Sequence, residues 1–275
     1  MNRSEVSVGS PFKAYLAVYR TQLKTLLHFK TNLLAWVIYS PLQMAVIYLL
    51  WKVIYSQTDT VKDFTFEDMI RYYLIVHLLN RTFGSVLEIN YRVWVDINKG
   101  KLDIYLARPL NFGLFTLFKA MGKPSIEWVI GIPFFIFFCI VLSIPLQINP
   151  WVLASFLLSV FAGFGILFLI QFMIGSLAFW TERIFGIRDI IFSIFMLFSG
   201  QLIPVSVLPK WIQAASQYLP FEGIFYMPAT IYAQPQVNPL ILFFLIKQFV
   251  WVCVLTLMCI AVWQRGSTRY ASQGG

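Results

Sequence analysis

Charge is what this chain has least of. Only 12% of its 275 residues are Asp, Glu, Lys or Arg, whereas a soluble globular chain carries about a quarter. Histidine is nearly absent: His28 and His77 are the two, and neither has metal-ligand spacing around it. The three cysteines, Cys139, Cys253 and Cys259, lie in apolar stretches with no Cys-x-x-Cys pair. They cannot build a disulfide framework and read as small buried hydrophobes rather than metal or redox groups. There is no Gly-x-Ser-x-Gly elbow and no pair of carboxylates within one apolar run. A phosphate-binding loop needs Gly, four residues, then Gly-Lys-Ser/Thr. The nearest approach, Gly122-Lys123-Pro124, lacks the upstream Gly and the hydroxyl. No catalytic or metal residue is expected, and energy must come from a partner or an ion gradient. The first thirty residues have no short apolar core before a small-residue cleavage site. No cleavable signal peptide is expected, and the first span must act as its own insertion signal.

What is there is apolar and aromatic. Hydrophobic residues make up 59% and Phe, Trp and Tyr 18%, with a mean hydropathy of +0.73. These values exclude a soluble enzyme, a disordered regulator and a nucleic-acid-binding domain. The formal net charge is +9, but the basic residues stand between long apolar runs, as the cytoplasmic-side bias of membrane proteins requires. The expected fold class is an all-α integral membrane protein with a single transmembrane domain.

A helix needs about twenty mostly apolar residues to cross the hydrocarbon core. Six segments qualify: 33–51, 69–92, 128–146, 151–180, 190–208 and 237–263. The second is inferred, because it carries Arg71, His77, Arg81 and Glu88. Six spans put both termini on one side. That side receives Arg3, Lys13, Arg20, Lys24, Lys30, Arg92, Lys99, Lys101, Arg108, Lys119, Lys123, Arg183, Arg188, Arg265 and Arg269, fifteen of the twenty-one basic residues. The opposite side holds Lys52, Lys62, Arg71 and Lys210, offset by Asp59, Asp63, Glu67, Asp68 and Glu222. Both termini are expected in the cytoplasm.

Three segments outside the spans carry a pattern. Over 11–30, Phe12, Tyr15, Leu16, Tyr19, Leu23 and Leu26 fall on one helical stripe, with Lys13, Arg20 and Lys24 beside it. Pro11 suits a first helical position after Ser10 as cap. Such a helix lies in the interface, stripe in the acyl boundary and basic edge on anionic lipid headgroups; the alternative is a helix packed on its own protein. In the 93–125 loop, Gly100 suits a turn, Lys101 to Ala107 suits one or two helical turns, and Pro109 ends them at Arg108. This short charged helix either docks a cytoplasmic partner or is an ordinary solvated loop. The stretch 203–236 contains Pro204, Pro209, Pro220, Pro228 and Pro235 but only Lys210 and Glu222 as charges. A solvated loop should be more polar, so Pro209 to Tyr218 and Pro220 to Tyr232 read as two short helices folding back toward the membrane. They would cap the outer end of a pathway, with Pro204, Pro209, Trp211 and Pro220 as its gate.

Polar residues at membrane depth face a bundle interior or a wet cavity. Arg81 and Glu88, seven apart, share a helix face with Asn80 and Gly84 near by. They either line a pathway, with Gln201 and Lys247, or form a structural ion pair. Glu127 and Glu182 lie at span ends and are expected to reach water. Ser155, Ser159 and Gly163, spaced by four, permit close helix approach within one subunit or between subunits.

Three motifs in order carry a resemblance. The loop Gly100-Lys-Leu-Asp-Ile-Tyr-Leu-Ala-Arg-Pro-Leu110 matches a Gly-x-Leu-Asp-x-x-Leu-x-Arg-Pro-Leu pattern. The outer segment Ile203-Pro-Val-Ser-Val-Leu-Pro209 is followed by Tyr218-Leu-Pro-Phe221 and Tyr226-Met-Pro228. The tail reads Arg265-Gly-Ser-Thr-Arg-Tyr270. In these the chain resembles the permease subunits of type-2 ATP-binding-cassette (ABC) exporters over essentially its whole length. One departure is Asn98, where a basic residue is the pattern. The resemblance implies an interfacial helix before the first span and a coupling helix that docks on a separate ABC ATPase. Lys101, Leu102, Asp103, Leu106, Arg108, Pro109 and Leu110 would be its contacts. It also implies re-entrant helices before the last span, a second permease (identical or related), and a bacterial plasma membrane. ATP and magnesium would belong to the partner ATPase.

The competing reading is a gradient-driven transporter using Arg81, Glu88 and Lys247 as an ion or proton relay. Such folds often show internal repeats, and none is evident between the two halves of this chain. A membrane enzyme acting on lipids lacks its nucleophile or metal. An aromatic-rich pathway with few charges favours amphipathic or lipidic cargo, unless the same aromatics simply face lipid.

Overall fold

The computed structural model describes residues 11–26, 30–106, 110–234 and 238–272. Among these every regular element is a helix; a single β-bridge, Val61 to Phe64, closes the hairpin between the second and third helices. The helices are α1 (Pro11–Leu26), α2 (Lys30–Tyr55), α3 (Phe66–Gly84), α4 (Ile89–Asn98), α5 (Leu102–Leu106) and α6 (Phe112–Ala120). They continue as α7 (Gly122–Val141), α8 (Pro150–Ser176), α9 (Phe185–Phe198), α10 (Lys210–Gln217), α11 (Tyr226–Ala233) and α12 (Asn238–Ser272). Among the described residues three stretches are long and apolar enough to cross a membrane: Phe112–Val141, Pro150–Phe179 and Leu240–Tyr270.

α8 begins where the sequence signals it, with Pro150 in the first turn and the Asn149 carboxamide accepting from the Trp151 amide at 2.9 Å. Its 27 residues span about 40 Å at 1.5 Å per residue. The small residues of α8 face inward. A Cβ on Gly163 would stand 2.8 Å from the Gly223 carbonyl, so the 155–159–163 stripe seats the turn before α11, within one chain.

α3 is the centre of the fold. Met69 to Leu79 are all buried, and a helix covered all round belongs inside a bundle. It starts with a capping box: the Thr65 hydroxyl accepts from the Asp68 amide, and the Asp68 carboxylate returns to the Thr65 amide. α7 packs on one side of α3 and α11 on another, while α4 lies against α8.

Four expectations are corrected. The single span over 69–92 is two helices, α3 and α4, separated by turns at Ser85 to Glu88. The fifth expected span is carried by α9, which runs from Phe185 to Phe198 rather than over 190–208. Gly200 stops it at a φ of +79°, where a Cβ would meet Tyr226 Cβ at 2.6 Å. In the third expected span, α7 starts at Gly122 and ends at Val141, short of 146, and Ser143 turns the chain at a φ of +55° before Pro145. The last helix continues past 263 to Ser272.

Within 203–234 the chain forms two short helices, α10 and α11, joined through a 3-10 turn at Phe221–Gly223; the helix expected from Pro220 begins only at Tyr226. Met227 to Ala233 are buried. α11 is thus an interior element and no surface loop.

Candidate functional site

The polar residues assigned to a pathway divide into separate places. The Gln201 amide donates to Asn80 Oδ1 at 2.6 Å, bringing two of them together. They line a cavity of about 350 Å³ between α2, α3 and the end of α9. Gln43, Trp51, Tyr73 and His77 supply the other polar groups of its wall, and Ile47, Leu50, Met196 and Leu202 the apolar part. His77, buried, is hydrogen-bonded to Ser40 of α2. No residue of this wall carries a full formal charge unless His77 is protonated.

Arg81 and Glu88 do not pair. Arg81 turns to Glu127 of α7, donating through Nη2 at 2.7 Å and Nε at 3.1 Å to one oxygen. Glu127, expected to reach water, is buried. Glu88 is exposed at the start of α4 and accepts from Arg92 at 2.8 Å. The break between α3 and α4 is the reason: it rotates Glu88 off the Arg81 face. Lys247, in the body of α12, pairs with Glu222 in the 3-10 turn before α11. Arg81 and Lys247 are therefore each matched by a carboxylate, on different helices.

Sequence reasoning missed Glu127 and Glu222 as partners, and also the buried pair Asn90–Gln171, which joins α4 to α8. The available signal was the same for all: a polar residue inside an apolar helix must find a partner. The gate residues do not share one environment. Pro204 and Pro220 are buried, whereas Pro209 and Trp211 are exposed.

The described residues of the 93–125 segment are largely helical. Gly100 turns the chain at a φ of +66°, and α5 follows as one helical turn. Leu102 is fully buried while Lys101, Asp103 and Ile104 are exposed. Arg108 and Pro109 lie outside the described residues, as does the side chain of Leu106; Leu110 is half-buried. Behind α5, Tyr105 meets Phe112 and Phe115 with ring centroids 5.2 and 4.9 Å apart. The Asn111 carboxamide caps α6 by accepting from Leu114 at 3.0 Å. Asp96, at the end of α4, has its carboxyl raised above the ordinary value by burial, against the lowering pull of Lys119 and Lys101.

α1 lies against this platform. Tyr15 stacks on Phe118 at 5.4 Å and its hydroxyl accepts from the Asn111 amide at 2.8 Å. Tyr19 donates to Ser125 at 2.8 Å. The stripe expected in the acyl boundary thus packs at Tyr15 and Tyr19 on its own protein, leaving Leu23 half-buried and Phe12, Lys13, Arg20 and Lys24 exposed. The Ser10 cap lies outside the described residues.

Among the described residues no group of three His, Cys, Asp or Glu could hold a metal ion. Comparison with curated proteins gives no match. A family described as ABC-2 family transporter protein matches residues 42–274. That range takes in all the helices from the middle of α2 onward, the α5 platform, the polar cavity and the Arg81–Glu127 and Lys247–Glu222 pairs. The chain belongs to the ABC-2 transporter family and is a multi-pass membrane permease of an ABC transporter.

Proposed function

We propose that the chain is the permease subunit of an exporter, driven by separate ATPase subunits that dock on α5. The observation that carries this is the build of α5. One face is sunk into the aromatic cluster through Leu102 and Tyr105, and on the other Lys101, Asp103 and Ile104 are exposed. Arg108, Pro109 and Leu110 follow in the sequence and extend the apolar and charged character of the segment. ATP and magnesium are held by the partner. Six spans with both termini in the cytoplasm of a bacterial plasma membrane fit the fifteen-to-four division of basic residues. α1 then lies along the inner interface, with Lys13, Arg20 and Lys24 on lipid headgroups.

The cavity holding Asn80 and Gln201 is the part of the pathway this reading favours, with α10 and α11 closing its outer end. A second permease covers α2 and α9. Phe195 is the one fully buried residue of α9, while Ile190, Phe192, Ile194 and Leu197 are exposed, as are Leu42, Val46 and Leu49 on α2.

The test is purification of the tagged chain from native membranes in mild detergent, with mass spectrometry of bound proteins. An ATPase bearing a Gly-x-x-x-x-Gly-Lys-Ser/Thr loop is expected with the parent and is lost when Asp103 and Arg108 are both replaced by Ala. A chain that purifies alone, or an ATPase retained at parental level by the double variant, sinks the docking assignment.

A further inference from the structure

The tail motif Arg265-Gly-Ser-Thr-Arg-Tyr270 has no role in docking as described, yet the fold brings it against the end of α8. Gly266 of α12 lies flat against Phe179, just past the end of α8: a Cβ there would stand 2.0 Å from the Phe179 ring. One turn later the Tyr270 ring meets Phe179 edge-on, with centroids 6.1 Å apart.

The same rings lead back to α5. Tyr105 of α5 packs on Phe112 of α6. Phe112 stacks on Trp263 of α12, centroids 5.0 Å apart and planes 13° apart. Trp263 meets Phe172 and Phe179 of the α8 end at 5.2 and 5.3 Å, and Phe179 meets Tyr270. α5 is therefore held through Tyr105 on one aromatic block shared by α6, α8 and α12. Close-packed interiors have low compressibility and pass strain on, and coupling between sites travels through such contiguous packing.

We propose that Gly266, Trp263 and Tyr270 are positioning residues for coupling: they are the strut by which a displacement of α5 reaches α8 and α12. This rests on the docking reading above, but assigns to the tail a part that docking alone does not need. Gly266 permits the close approach, the Trp263 and Tyr270 rings carry it, and none of the three touches the ATPase.

The experiment uses the complete permease–ATPase complex in lipid nanodiscs. Spin labels are placed at Val53→Cys and Trp211→Cys, both exposed at the outer end, with the native cysteines replaced. Distances are read by pulsed electron resonance before and after ATP with vanadate. The parent is expected to show a nucleotide-dependent shift, and Tyr270→Phe to keep it. Tyr270→Ala and Gly266→Leu are expected to lose the shift while retaining the ATPase, its hydrolysis and a monodisperse elution profile. If Gly266→Leu misfolds, Tyr270→Ala with its Phe counterpart decides alone. A parental shift in Tyr270→Ala overturns the proposal and leaves docking intact. A parent that binds no ATPase overturns the docking reading, and the strut with it.

Discussion

Lys247 of α12 and Glu222 of the turn before α11 form an ion pair in which the two side chains are only 12% and 8% exposed. Next to it, Gln248 donates to the carbonyls of Ser159 and Gly223 at 3.0 and 2.7 Å. Two consecutive residues of α12 therefore hold the outer segment against α8.

Removing one member of a buried pair strands the other charge, at about 3 kcal/mol or more, whereas replacing both with apolar groups can be neutral. Lys247→Met or Glu222→Leu alone is expected to lower the melting temperature of the detergent-solubilised protein clearly. The double variant recovers most of it. Equal melting temperatures in all four proteins would show that the pair is not a structural clamp.

Gly200 and Gly84 should respond oppositely to alanine. A left-handed non-glycine residue costs about 1–2 kcal/mol, and at Gly200 the added Cβ also collides with Tyr226. The Tyr72 hydroxyl, which donates to the Gly200 carbonyl at 2.6 Å, is crowded as well. Gly84 has nothing within 4 Å of an added Cβ, and helical Gly→Ala gains up to about 1 kcal/mol. Folded yield after heating is expected to fall for Gly200→Ala and to hold or rise for Gly84→Ala.

Asp96 gives a pH signature. Burial raises its carboxyl pKa above the usual value, so the folded protein binds this proton more tightly than the unfolded chain. Stability linked to it is full below the unfolded pKa and is lost as pH rises through the folded value. Asp96→Asn escapes that loss. Its melting temperature is expected to exceed the parent's at neutral pH, with the two converging below about pH 4. A constant difference across the range would remove Asp96 as the cause.

The exposed faces of α2 and α9 predict contact between copies or with a related permease. Single cysteines at Val46 and Leu197, in a background without native cysteines, are expected to cross-link in native membranes with a short bifunctional maleimide. Cysteine at Val254, exposed on α12, is expected to remain monomeric. Cross-linking confined to Val254 would move the interface away from α2 and α9.

Much of this architecture was legible where the signal is local. α8 was read within a residue at its start, because the charge-free run is all it needs, whereas its end at Ser176 falls short of 180, where the chain tightens into a 3-10 turn at Leu177–Phe179. Gly100 and the turn of helix after it, and the short helices after Pro209, followed from backbone chemistry in the same way. The pairings were not legible. Arg81 finds Glu127 across 46 positions and Lys247 finds Glu222 across 25, whereas helical periodicity reports only neighbours a few residues apart. Arg81 and Glu88 were matched by spacing on a helix that the fold interrupts between them. The stripe on α1 was read correctly as apolar, but the same stripe serves lipid or protein, and α6 and α7 take Tyr15 and Tyr19.

That interruption also sets how the molecule can bend. Between α3 and α4 the regular ladder gives way to turn bonds, Val86 to Phe83 at 2.9 Å and Ile89 to Val86 at 3.1 Å. Above the elbow, α3 is loaded by α7 and α11; below it, α4 is loaded by α8. A continuous helix would force both loads to tilt as one rod. With a joint at Ser85 to Glu88, the lower arm that leads into α5 can swing through a different angle from the upper arm beside the outer segment. The two arms then need not share one angle of tilt.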